Sequence, residues 1–135
     1  MTTPSTTPST TPSTTPSTTP STTPTTTPAT FVRDQWYVIA GTDEVSDVPL
    51  ARTVCGEHIV LFRQTDDTIV ALADRCPHRG YPLSLGAVVG DEIQCGYHGL
   101  RFDGCGTCTW APLQNIIPSR ANVETYPLAT TGPWI

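Results

Sequence analysis

The chain contains no lysine and carries few charges of either sign. Its seven basic side chains are all arginine, charged residues make up 14% of the sequence, and the formal net charge is −5 at pH 7. The arginines are spread along the chain and form no basic stripe. Because binding to a phosphate backbone depends on clustered positive charge, this composition argues against nucleic acid as a partner.

Long apolar runs and export signals are also missing. No stretch approaches the roughly 20 consecutive apolar residues of a transmembrane helix, so we expect no membrane partner. The N-terminus lacks the charged and apolar segments of a secretory signal, and we therefore expect a cytoplasmic protein. In that compartment the five cysteines are better explained as metal ligands than as a disulfide framework.

Residues 1–30 form a low-complexity tail. After Met1 the tetrapeptide TTPS occurs five times and is followed by TTPT and TTPA. Proline at every fourth position blocks both helix and sheet, and the segment has almost no apolar side chains to offset the entropy of ordering. We predict a disordered Thr/Ser/Pro tail whose default interpretation is a repeat without function. An O-glycosylated stalk is the alternative, but it would need an export signal.

The remaining residues, 31–135, are enough for one small domain with a modest core. No window shows the 3.6-residue apolar period of a helix, whereas runs of β-branched and aromatic residues alternate with turn residues. Turns at 55–58 and 66–67 predict consecutive hairpins, so we predict an all-β fold with antiparallel sheets. The predicted strands are 35–40, 50–54 (an edge strand), 59–63, 68–73, 92–94, 100–102, 107–110 and 123–128, with the start of another at 132–135.

Two short loops carry the chemistry. CPHRG (76–80) and CGYHG (95–99) each provide one thiolate and one imidazole. Two cysteines and two histidines suit a [2Fe–2S] centre in which cysteine holds one iron and histidine the other. A zinc site with the same four ligands is the alternative. Zinc sites usually place Cys with Cys and His with His in the sequence, however, whereas each loop here contains both.

These loops resemble those of Rieske domains, and specifically of the oxygenase kind. The most specific parts are CPHRGYPLSLG (76–86) and CGYHGLRFD (95–103). The later APLQ (111–114) and IPSRANVETYPL (117–128) are similar to the N-terminal part of the oxygenase subunit of vanillate demethylase and related monooxygenases. The resemblance covers 31–135 and implies stacked antiparallel sheets with two cluster-binding loops at one tip.

The resemblance also implies a Rieske-type [2Fe–2S] cluster and a role for each ligand. The thiolates should bind the inner iron and the imidazoles the outer iron; the ligands are Cys76, Cys95, His78 and His98. Tyr97 and Arg79 flank the imidazoles, and we interpret both as packing or loop-orienting residues rather than as a docking surface.

In the oxygenases this domain is the N-terminal electron-transfer module of an aromatic-compound mono- or dioxygenase subunit. A reductase or ferredoxin would be the electron donor, and the catalytic domain, with a mononuclear Fe(II) held by two histidines and a carboxylate, the acceptor. Because His58 is the only histidine outside the two loops, we expect that domain to lie outside these 135 residues, and whether this chain is itself an enzyme stays open.

A stand-alone Rieske ferredoxin is the alternative function, because a domain of this length suffices for an electron carrier. The similarity over 111–128 and the end of the chain inside a predicted strand favour the oxygenase module.

Two departures from high-potential Rieske proteins predict a low reduction potential. In respiratory complexes each ligand loop carries an additional cysteine, the two form a disulfide, and a serine follows the His-Gly of the second loop. Here neither loop has an additional cysteine, and Leu100 stands at the serine position. Fewer hydrogen bonds to the cluster sulfur stabilise the reduced state less, so we predict a potential of roughly −150 mV.

The remaining cysteines and His58 are predicted to be structural. CGTC (105–108) matches a C-x-x-C pattern, but a thioredoxin-type pair lies at the start of a helix, whereas turn residues precede this one. We therefore predict a hairpin with two neighbouring loop cysteines. Cys55 is interpreted as a turn or core residue, and His58 as the first residue of a strand.

Overall fold

Two antiparallel sheets make up the computed structural model, which describes residues 31–32, 34–112, 116–117 and 119–135. Sheet I has three strands in the order β1-β2-β3: β1 (Leu50–Val54), β2 (Glu57–Arg63) and β3 (Ile69–Ala73). Cys55 and Gly56 connect β1 to β2 with positive φ angles of 52° and 84°, as a two-residue type I′ turn requires. The turn is shorter than predicted because pairing already begins at Glu57, opposite Val54.

Sheet II has four strands in the order β4-β5-β6-β7: β4 (Ala87–Val89), β5 (Glu92–Gln94), β6 (Arg101–Phe102) and β7 (Cys108–Trp110). A 3₁₀ turn, Leu83–Leu85, precedes β4. The described ranges contain no α-helix, so the all-β prediction is confirmed. Accordingly, no helix in that part of the chain is long and apolar enough to cross a membrane.

Three predicted strands are wrong. The segment 123–128 forms only one bridge, between Thr125 and Leu72 of β3, with hydrogen bonds from the Ala73 N–H to the Glu124 carbonyl and from the Tyr126 N–H to the Ala71 carbonyl. The segments 35–40 and 132–135 pair with each other over a few residues: Ile39 N–H donates to the Ile135 carbonyl at 2.9 Å, and Ile135 N–H donates to the Ala40 carbonyl at 3.0 Å. Proline limits this ladder, since Pro133 cannot donate.

The core has two parts because β2 and β3 are buried on both faces. The inter-sheet core lies between sheets I and II and consists of Val60, Phe62, Val70, Leu72, Cys76, Leu83, Ile93, Cys95, Phe102, Cys108 and Val123. The outer core lies on the other face of sheet I and consists of Ala40, Val45, Ile59, Leu61, Ala71 and Ile135. Neighbouring residues of β2 alternate between the two cores, as the period of two in a strand dictates.

Both ligand loops leave the same end of this arrangement. The first follows β3, which ends at Ala73, and the second follows β5, which ends at Gln94. The predicted tail, 1–30, lies outside the described residues, as do Leu113, Gln114 and Pro118 of the two similar segments 111–114 and 117–128.

Candidate metal centre

The first ligand loop is closed by two backbone hydrogen bonds around Cys76. Its N–H donates to the Tyr81 carbonyl, and its own carbonyl accepts from the Gly80 N–H, both at 2.8 Å. Gly80 has a φ of 69°, in the left-handed region that favours glycine. The loop therefore turns back on itself within five residues and keeps its ligands at the tip.

The second loop repeats this pattern around Cys95. The Cys95 N–H donates to the Leu100 carbonyl at 2.8 Å, and the Cys95 carbonyl accepts from the Gly99 N–H at 3.0 Å. Gly99 again has a positive φ, 76°. The two loops thus share one backbone fold, although His78 is two residues after its cysteine and His98 three residues after its own.

The two ligand cysteines lie inside the protein. Cys76 is 2% and Cys95 1% exposed, and both belong to the inter-sheet core. Burial raises the pKa of the Cys76 thiol to about 11, and the adjacent Cys95 thiol adds to the rise. The backbone N–H groups of His78 and Arg79 face the Cys76 sulfur and oppose this effect by favouring the thiolate.

The two ligand histidines lie together at the surface. The ring centroids of His78 and His98 are 4.8 Å apart with the ring planes at 61°. Tyr97, which is 55% exposed, lies against His98 with a centroid distance of 3.9 Å. The fold therefore brings the two predicted imidazole ligands side by side and leaves them open to solvent.

This donor set fits a [2Fe–2S] cluster. The four side chains form a buried thiol pair and an exposed imidazole pair, the division that two cysteines on one iron and two histidines on the other require. The arrangement favours the cluster over the zinc alternative, which needs four ligands around one centre.

The second loop also packs closely against the 3₁₀ turn. A Cβ on Gly96 would lie 2.8 Å from the Leu85 carbonyl oxygen, and a Cβ on Gly86 would lie 2.0 Å from the Gln94 carbonyl oxygen. Because the backbone of residues 85–86 contacts the backbone on both sides of Cys95, this contact fixes the position of the second loop. Sequence reasoning missed Gly86, because its contact follows from the pairing of β4 with β5 and has no local sequence signal.

The other cysteines and His58 lie outside the two ligand loops. Cys108 is buried in β7, whereas Cys105 is exposed in the β6–β7 turn, so their side chains do not form a facing pair. The predicted hairpin is therefore confirmed, but the prediction that both cysteines lie in its loop is wrong for Cys108, which pairs with Phe102 as the first residue of β7. Cys55 lies in the β1–β2 turn, and His58, in β2, has its ring Nδ1 3.1 Å from the Thr53 hydroxyl.

Comparison with known proteins identifies the family. The model of the Rieske [2Fe-2S] domain matches residues 35–127. The chain belongs to the Rieske [2Fe-2S] domain family. The predicted resemblance is thus confirmed, and with it the type of cofactor, a [2Fe–2S] cluster.

Several relatives of this Rieske domain are oxygenase components or subunits. The dicamba O-demethylase oxygenase component of Stenotrophomonas maltophilia is 47% identical over 100 residues, which cover 73% of this chain and 30% of that protein. The vanillate O-demethylase oxygenase subunit of Pseudomonas sp. (strain HR199 / DSM 7063) is 48% identical over 102 residues, covering 71% and 28%. The chain thus spans about 30% of the length of the curated relatives it matches.

The solved structures agree with this assignment. A crystal structure of dicamba monooxygenase with non-heme iron and dicamba superposes with a TM-score of 0.76 at 45% identity, covering 78% of this chain and 33% of that chain. The Rieske fold with its loops at one tip is therefore confirmed. Because these relatives are components of multicomponent oxygenases, the comparison does not favour the stand-alone ferredoxin.

Proposed function

We propose that this Rieske domain transfers single electrons within an oxygenase subunit, through a cluster held by Cys76, Cys95, His78 and His98. When bound, the [2Fe–2S] cluster supplies a one-electron redox centre. The observation that carries the proposal is the placement of a buried thiol pair beside an exposed imidazole pair.

Each ligand has its own task in this proposal. Cys76 and Cys95 bind one iron as thiolates inside the inter-sheet core, where solvent cannot compete for the metal. His78 and His98 each use one ring nitrogen for the other iron and keep the second at the surface. The exposed imidazole edges are then the shortest route for an electron between the domain and a partner.

The wider role follows from the relatives. The electron donor is a reductase or ferredoxin, and the acceptor is a mononuclear Fe(II) in a catalytic oxygenase domain outside residues 31–135. The relatives act on aromatic compounds such as dicamba and vanillate by name, and a small aromatic compound is the substrate class that we propose for the whole system. We place this system in the cytoplasm.

The proposal is tested by reconstituting the chain anaerobically with iron and sulfide and recording absorption and reduced-state EPR spectra. The expected result is a visible chromophore and an EPR signal with two nitrogen ligands. His98→Ala should abolish that signal, whereas His58→Ala, which changes the histidine outside the loops, should leave it intact. A colourless protein that binds one zinc ion would overturn the proposal, as would equal effects of the two substitutions.

A further inference from the structure

A carboxylate at the base of the first loop is bonded to the 3₁₀ turn. Asp74 follows β3 directly and stands two residues before Cys76. Its Oδ1 accepts from the Ser84 N–H at 2.7 Å, and its Oδ2 accepts from the Ser84 hydroxyl at 2.6 Å. Both carboxylate oxygens therefore bind one residue of the Leu83–Leu85 turn.

Asp74 is itself fixed to sheet I. Its backbone N–H donates to the His58 carbonyl at 2.8 Å, so its main chain is held by β2. The turn that it holds is anchored as well, because Leu83 is fully buried in the inter-sheet core. The Asp74–Ser84 contact thus joins two rigid parts of the fold rather than two flexible loops.

The far side of the same turn touches the second ligand loop. Gly86 and Leu85 are in backbone contact with Gln94 and Gly96, the residues on either side of Cys95. A continuous path therefore runs from the base of the first loop through Asp74 and Ser84 to the base of the second loop. A shift of the turn would move one histidine relative to the other.

We propose that Asp74 is a positioning residue that sets the separation of the two histidine loops through its paired hydrogen bonds to Ser84. The inference rests on the proposed function, since the loops are those assigned to the cluster. The hydrogen bonds of the Asp74 carboxylate are to Ser84. Asp74 acts through the turn, as partners of metal ligands often do.

The structure offers a matched control at the opposite end of the sheets. Asp91, in the β4–β5 turn, accepts the Thr65 N–H and the Thr65 hydroxyl through Oδ1, both at 2.7 Å. Asp91→Ala thus removes the same two kinds of hydrogen bond from another carboxylate, but far along the strands from the ligand loops. If the role of Asp74 were merely structural, Asp74→Ala and Asp91→Ala should have the same effect on the cluster.

The experiment compares reconstituted wild type with Asp74→Ala, Ser84→Ala, Asp74→Asn and Asp91→Ala. The readouts are the reduced-state EPR spectrum and the rate at which visible absorbance is lost in the presence of an iron chelator. Asp74→Ala should broaden or shift the EPR signal and lose the cluster about tenfold faster. Ser84→Ala, which keeps the N–H bond, should lie between. Asp74→Asn should stay within about twofold of wild type, because its amide still accepts the N–H and donates to the hydroxyl.

The outcomes separate this inference from the proposed function. A wild-type EPR signal that is unchanged in Asp74→Ala, with chelator kinetics equal to those of Asp91→Ala, would overturn the positioning role alone. Loss of the cluster in Asp74→Asn as severe as in Asp74→Ala would also overturn it, since geometry would then not be the cause. A wild type without the two-nitrogen EPR signal would overturn the proposed function and the inference together.

Discussion

Gly86 offers the sharpest test of how the two ligand loops are held. It ends the 3₁₀ turn with a negative φ, −99°, and a ψ of −144°, so the penalty of a left-handed backbone does not apply and we test the contact that a Cβ would make. A Cβ would lie 2.0 Å from the Gln94 carbonyl oxygen and 3.0 Å from the Leu83 carbonyl oxygen. To reach even 3.0 Å, the shortest distance that real Cβ atoms show, the Gln94 contact must open by about 1 Å.

The opposing atom belongs to the backbone and cannot swing aside as a side chain would. Inserting a methyl group into packed structure typically costs about 1–3 kcal/mol, and we expect Gly86→Ala to lie near about 3 kcal/mol. Because Gln94 precedes Cys95, the displacement should also misplace the second loop. Gly90→Ala is the control: its φ is 63° with no atom within 4 Å of the new Cβ, so only the left-handed conformation is penalised, by roughly 1–2 kcal/mol.

The assay is urea unfolding followed by tryptophan fluorescence, together with visible absorption after anaerobic reconstitution. Gly86→Ala should lose both stability and most of the chromophore, whereas Gly90→Ala should lose some stability and keep the chromophore. If Gly86→Ala retained wild-type absorbance and unfolded at the same urea concentration as Gly90→Ala, the backbone contact would not be what fixes the second loop.

Three further predictions test other parts of the molecule. Phe62→Ala should lower the free energy of unfolding by about 3–5 kcal/mol, because Phe62 is fully buried between the sheets. Phe31 is 45% exposed, so Phe31→Ala should change the free energy of unfolding by less than about 1 kcal/mol in the same denaturation assay. In the reconstituted protein at neutral pH, iodoacetamide should modify Cys105 and spare Cys108, since burial raises the pKa of the Cys108 thiol and keeps it protonated; equal labelling by mass spectrometry would contradict this. Redox titration should give roughly −150 mV, and a clearly positive potential would refute the argument from Leu100.

Hairpins could be predicted from the sequence because their signals are local. The pair Cys55-Gly56 and the pair Asp66-Asp67 stand between runs of β-branched and apolar residues, and a turn forms at each place. The segments 35–40 and 123–128 carry equally good strand composition but are not strands. Whether these segments form strands depends on the neighbouring backbone with which the fold allows them to pair, and composition does not encode this.

The candidate site, like the fold, has features that the sequence predicts and features that it does not. The four ligand types and their pairing in two loops are visible in the sequence, because each loop carries its own cysteine, histidine and glycines. The contacts that hold the two loops in place cannot be seen in the sequence. Ser84 donates a hydrogen bond to Asp74, which is ten residues away in the sequence, and Gly86 contacts Gln94 only because β4 and β5 pair. Such contacts follow from tertiary structure, which a single sequence does not reveal.

The fold also explains why thiols and imidazoles occupy different surroundings. Sheet I is buried on both faces, so the loop that follows β3 begins inside the inter-sheet core and ends at the surface. Its cysteine is therefore desolvated and its histidine is not. Burial raises the pKa of the Cys76 thiol to about 11, so without a metal this thiol is protonated and uncharged at neutral pH. Because metal ligation requires the thiolate, cluster binding at the proposed site would release the proton of Cys76. Under the proposed ligand assignment, electron exchange with a partner would take place on the histidine side of the domain, where the imidazoles are exposed.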